Sequence, residues 1–63
     1  MNNRLKEYRE KAGITQEGLE KLSAISRVTI SNIERGAVTD LKISTMVALA
    51  SALDVPVQKL FLD

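Results

Sequence analysis

Apolar residues recur at helical spacing along the whole chain. Leu5, Tyr8 and Ala12 stand at i, i+3 and i+7, and Gly13 supplies a natural stop, so a first helix is expected there. Leu19 and Leu22 share one face of a second helix, and Ile30 and Ile33 share one face of a third. Ile43, Met46, Val47, Ala50 and Leu53 form the longest apolar stripe and predict a fourth helix. Pro56 then opens a short fifth helix carrying Val57, Leu60 and Phe61. No segment alternates with period two, and there is no repeat or low-complexity tract. The pattern predicts an all-α chain of short helices.

The polar positions between these stripes sharpen the second and third helices. With Thr15 as N-cap, Ile14 lies just before the cap and Leu19 at the fourth helical position, the spacing of a hydrophobic staple. Ser26 repeats the arrangement, with Ile25 before it and Ile30 four residues beyond. Each hydroxyl is placed to accept from a backbone N–H of the first helical turn. Two stapled helices joined so closely, by Leu22 to Ile25, must cross at a steep angle. That predicts a helix-turn-helix.

Size and composition narrow the chemistry. The 63 residues suffice for a single domain spanning 1–63, near the lower limit for a core that folds alone. The absence of Cys and His excludes disulfides, thiol chemistry and the usual zinc ligand sets. It also removes the commonest activators of nucleophiles, and no convergent carboxylate pair is evident, so an enzyme is the weakest class. No cofactor, metal or small-molecule site is expected. No apolar run approaches the roughly 20 residues of a membrane span and no signal peptide is visible, so a soluble cytoplasmic protein without a membrane partner is expected. The formal charge is only +1, but Arg4, Lys6, Arg9 and Lys11 concentrate positive charge near the N-terminus.

One pair of charges stands out from the solvated ones. Arg9 falls on the stripe of Leu5 and Tyr8, and Glu34 on the stripe of Ile30 and Ile33. Either would be costly to bury alone, and each is the natural partner of the other.

The stretch "TQEGLEKLSAISRVTISNIERG" resembles the Cro and repressor type of helix-turn-helix, the XRE-like family, with its usual string T-Q-E-x-L-A-x-x-x-G-V-S-x-x-x-I-S-x-I-E-x-G. "LKEYREKAGITQ" resembles the family's first helix, and "ISTMVALASALDVPVQKLF" its fourth and fifth. The resemblance implies a compact five-helix, lambda-repressor-like domain that binds double-stranded DNA with its third helix in the major groove. It also implies a structural salt bridge between Arg9 and Glu34. The chain departs from the family string at Glu20, where a small residue is usual, and at Ala24, where glycine is usual. It carries Gly18 inside helix two, and its loop from Gly36 to Ile43 lacks the usual proline and runs about a residue longer. A left-handed Ala24 would cost roughly 1–2 kcal/mol, and Gly18 on the order of 1 kcal/mol.

On that reading the DNA contacts divide in two. Gln16, at the start of helix two, is the counterpart of a backbone-contacting residue, and helix N-termini favour phosphate. Arg35 and the Gly36 N–H resemble a second backbone clamp, while Ser26 and Thr29 lie beside the backbone. Lys42 and Arg4 are either further phosphate contacts or ordinary solvated charges. Arg27, Val28, Ser31 and Asn32 face outward and are the candidate base readers. Arg27 can fork onto guanine O6 and N7, Asn32 can pair with an adenine edge, and Val28 can meet a thymine methyl.

One helix in one groove reads only a few base pairs, which points to a homodimer on a palindromic operator. Val57 and Leu62, near the chain end, are the candidate two-fold contacts. The function implied is a sequence-specific transcriptional regulator acting as a repressor. The rival is an antitoxin or adaptor of the same fold whose main partner is a protein, a reading supported by the near-neutral charge and the apolar tail.

Overall fold

The computed structural model describes residues 2–61, so Leu62 lies outside the described residues. Five helices follow in order: α1 (Leu5–Lys11), α2 (Gln16–Ser23), α3 (Arg27–Glu34), α4 (Ile43–Leu53) and α5 (Val57–Phe61). No strand occurs among the described residues. The all-α, five-helix architecture is the one the apolar spacing predicts.

Both stapled starts are built as hydroxyl caps. Thr15 is extended, and its Oγ1 accepts from the Gly18 N–H at 3.0 Å. Ser26 is extended too, and its Oγ accepts from the Thr29 N–H at 3.2 Å. Ile14 and Ile25 are half-buried against the core, while Leu19 and Ile30, one turn into each helix, are fully buried. Each staple thus ties the chain entering a helix to the interior, which sets the angle of entry.

The helix ends use left-handed residues. At the end of α1, Gly13 has φ 70°, and the Ile14 N–H donates to the Arg9 carbonyl at 3.1 Å. Between α2 and α3 the left-handed position falls on Ala24, with φ 62°. Its N–H donates to the Glu20 carbonyl at 2.9 Å. An L-residue with a Cβ there carries strain that glycine would not. Gly18 has a different reason for being small. A Cβ at that position would lie 3.1 Å from Ile14 Cγ2 and 3.3 Å from Thr15 Oγ1, crowding the staple and the cap together.

All five helices supply the core: Leu5, Leu19, Ile30 and Ile33, then Leu49, Ala50 and Leu53 of α4, and Leu60 and Phe61 of α5. Four expected core positions are corrected. Ala12 is exposed, because α1 ends at Lys11 and Ala12 is its C-cap. Leu22 is 61% exposed, in the last turn of α2 beside the chain reversal at Ala24. On α4, Ile43 (75% exposed) and Val47 (49%) point away, and Leu49 is buried instead. The inward stripe runs through Met46, Leu49, Ala50 and Leu53, and Val47 lies about 100° round the helix from Met46. At the chain's other end, the Arg4 N–H donates to the Leu60 carbonyl at 2.8 Å and docks the entry to α1 on α5.

Candidate nucleic-acid interface

The interior side of α3 is anchored before its outer side is free to act. Ile30 and Ile33 are buried. One residue on, Glu34 takes two bonds from the Arg9 guanidinium, Nε to Oε2 at 2.6 Å and Nη2 to Oε1 at 3.1 Å. The remaining Arg9 amino group, Nη1, donates to the Ile14 carbonyl at 2.8 Å. The two side chains are only 11% and 4% exposed. The bond from Arg9 to Glu34 holds the guanidinium above its usual range, outweighing burial. Burial pushes the Glu34 carboxyl up, but bonds from Arg9 and Gln16 and the charges of Arg9 and Lys6 bring it below the usual carboxylate range. The forked, charge-assisted geometry ties α1, the α1–α2 turn and α3 into one unit.

Gln16 joins the same network. Its Nε2 donates to Glu34 Oε1 at 3.0 Å, so the first residue of α2 is held against the last residue of α3. At the opposite end of α3, Glu20 Oε2 accepts from the Arg27 N–H at 3.0 Å. This carboxylate satisfies a first-turn donor and lies at the positive end of the helix dipole. Glu20 is a positioning residue that sequence reasoning registered only as a departure. The signal that would have found it is an acid seven residues before a helix start, across a tight turn.

The outer side of α3 presents Arg27 and Val28, both exposed, and Ser31 and Asn32, both half-buried. These four line one shallow hollow of about 150 Å³. Val28 is 66% exposed, with nothing apolar required of it by packing. Ser26 and Thr29 lie at the start of the helix and are bonded to each other, the Ser26 hydroxyl donating to Thr29 Oγ1 at 2.9 Å. Arg35 is exposed, and its Nη2 donates to Asn32 Oδ1.

The remaining candidates stand apart from the hollow. The Gly36 N–H, expected as a phosphate donor, donates to the Ile33 carbonyl at 2.9 Å, and the Ala37 N–H to the Asn32 carbonyl at 3.0 Å. With Gly36 at φ 73°, this closes α3 by a Schellman motif, and terminating the helix is the N–H group's structural task. Lys42 is the N-cap of α4, exposed and without a side-chain cap bond. Arg4 is exposed and fixed by its backbone to α5. Val57 is half-buried at the start of α5, packed against the core.

A helix-turn-helix family model, HTH_3, matches residues 5–60. The chain belongs to this family. Its five-helix architecture and the solved structures it resembles place it with the XRE-type members. The restriction-modification controller protein C.AhdI from Aeromonas hydrophila is 36% identical with a TM-score of 0.84, over 92% of this chain and 86% of that one. SinR, the master regulator for biofilm formation, solved in complex with DNA, is 30% identical with a TM-score of 0.88, over 95% and 94%. A SinR–SinI protein complex matches at 29% identity and a TM-score of 0.82, over 87% of this chain and 53% of that one. No curated protein matches the chain significantly. Among the described residues no helix is long and apolar enough to cross a membrane, and no acidic cluster could hold a metal ion.

Proposed function

We propose that this chain is a sequence-specific, double-stranded DNA-binding transcription regulator that acts as a repressor, with α3 lying in the major groove. The observation that carries the reading is the two-sided build of α3. Its inner side is locked by Ile30, Ile33 and the Arg9–Glu34 bridge, and its outer side gathers Arg27, Val28, Ser31 and Asn32 round one hollow. Arg27 reads guanine, and Val28 packs on a thymine methyl. Gln16, held at the α2 start by Glu34, and the N-terminal hydroxyls Ser26 and Thr29 meet the phosphates on either side. Arg4 and Lys42 add charge at the margins.

Two chains bind a palindromic operator with half-sites about 34 Å apart, so that both α3 helices enter successive major grooves. Val57, at the start of α5, is the described residue assigned to the two-fold contact. Affinity for the operator should fall steeply with salt, by about 0.9 log units per log unit of salt for each phosphate neutralised. Titrations of a selected operator and a random duplex from low to high salt test this. Salt-insensitive binding, or equal affinity for the two duplexes, would overturn it.

A second reading draws on exposed Ile43 and Val47, apolar groups that lie outside the core cluster of the described residues, and makes a protein the main partner. A SinR structure contains a second protein, SinI. Stoichiometric capture of one protein without measurable preference for any duplex would favour this adaptor reading.

A further inference from the structure

Val28 is the second residue of α3 and stands exposed, with Ser31 one turn further on, and both line the hollow beside Arg27 and Asn32. Residues three apart on a helix share a face, so the valine methyls and the serine hydroxyl are offered to the same place. Their chemistry is unequal. The isopropyl group has no donor and no acceptor, while the hydroxyl donates or accepts as its hydrogen rotates.

In the major groove thymine shows the O4 acceptor and the C5-methyl group, whereas cytosine shows the N4 amino donor. A valine facing either edge gains contact from the methyl alone and cannot tell O4 from N4. A serine hydroxyl serves both, donating to the first or accepting from the second. 5-Methylcytosine carries its methyl on the same ring carbon as thymine. To Val28 and Ser31 the two bases therefore present the same apolar group beside a polar group that the hydroxyl can match. Uracil and unmodified cytosine both lack that apolar group.

We infer that the Val28 side of the hollow is a subsite for a 5-methylpyrimidine, which takes the methyl of 5-methylcytosine as it takes that of thymine. This rests on α3 being the reading helix, and it goes further than a thymine contact. It makes binding responsive to a modification of the DNA: an operator with cytosine at that position is held more tightly once the cytosine is methylated at C5. Pairing with guanine is unchanged by the methyl, so the gain comes from the groove contact and not from a different base pair.

Comparing thymine directly with 5-methylcytosine also changes the paired purine. The methyl is isolated instead by two pairs of duplexes: thymine against uracil, both paired with adenine, and 5-methylcytosine against cytosine, both paired with guanine. The bases are placed in one half-site of a selected operator, at the position where Val28→Ser alters base preference. Competition binding is measured for wild type, Val28→Ser and Arg27→Ala, with thermal melts to establish that each variant is folded. For wild type each methyl should strengthen binding about fourfold, the transfer value of one buried carbon. In Val28→Ser both increments should fall toward onefold, and in Arg27→Ala both should persist. The inference is overturned if wild type binds 5-methylcytosine no better than cytosine, or if either increment survives intact in Val28→Ser. It also fails if Val28→Ser alters preference at no position. The reading-helix assignment falls with it only if Arg27→Ala likewise leaves every preference unchanged; in the other outcomes Arg27→Ala still relaxes preference at its own base pair.

Discussion

The two sides of α3 are built on opposite principles. Toward the interior the buried side-chain polar groups have partners: Glu34 binds Arg9 and Gln16, and no buried side-chain nitrogen or oxygen among the described residues is left unsatisfied. Toward solvent, Arg27 and Val28 stand exposed over a hollow in a helix whose first turn is already capped by Ser26 and Glu20. The inner side is where substitutions should cost stability, and the outer side where they should cost recognition. A helix fixed so firmly from within can present its outer groups in one geometry, which direct readout of base edges requires.

The largest expected effect is on the inner side. Arg9→Ala leaves Glu34 buried without its cation and should destabilise by about 3 kcal/mol. In a domain this small that lowers the melting temperature by more than about 12 °C. An unchanged melting temperature would break the contrast at once. The same carboxylate makes stability pH-dependent. Its pKa is lower folded than unfolded, so the stabilisation is fully present above the ordinary carboxylate range and is lost as pH falls through the depressed folded value. Glu34→Gln should flatten the acid limb of a stability–pH curve, and an identical acid limb would assign it to other groups.

On the outer side, Arg27→Ala should leave the melting temperature within about 2 °C of wild type. It should cost roughly 1–3 kcal/mol on the best operator and relax preference at one base pair. Gln16→Ala lies between the two sides. It should weaken all duplexes about equally and lose a little stability through Glu34.

Smaller effects test the hinge between the helices. Ala24→Gly relieves a left-handed alanine and should stabilise by about 1 kcal/mol, with the gain in backbone freedom of the unfolded chain offsetting part of the relief. Gly18→Ala should gain less than the roughly 1 kcal/mol of helix propensity, because the new Cβ crowds Ile14 and Thr15. A full gain in its denaturation midpoint would show that the staple yields freely.

Much of this was legible in the sequence because it is local. Hydroxyl caps at Thr15 and Ser26, staples at Ile14 and Ile25 and the stop at Gly13 depend on residues within one or two turns of each other. The inward charges Arg9 and Glu34 were legible because each sits on an apolar stripe. The rotation of α4 was not. Met46, Val47, Ala48, Leu49, Ala50 and Leu53 offer several overlapping stripes, and only packing against α2 and α5 chooses among them. Glu20 was missed because its partner lies across a turn, where no periodicity applies. The Asn32–Arg35 bond has helical i, i+3 spacing, but base reading and backbone clamping had been assigned to the two residues separately. The helix-ending task of the Gly36 N–H was not legible, because the Schellman bond that uses it forms only once the chain reverses after α3.

The central claim is that the outer side of α3 reads DNA sequence, and parallel in-vitro selection from random duplexes by wild type and Arg27→Ala tests it most directly. Wild type should enrich a two-fold symmetric site with half-sites one helical turn apart, and Arg27→Ala should enrich the same site with one symmetric pair of positions made indifferent. No enriched site, or the same site with unchanged preference at every position in both selections, would contradict it.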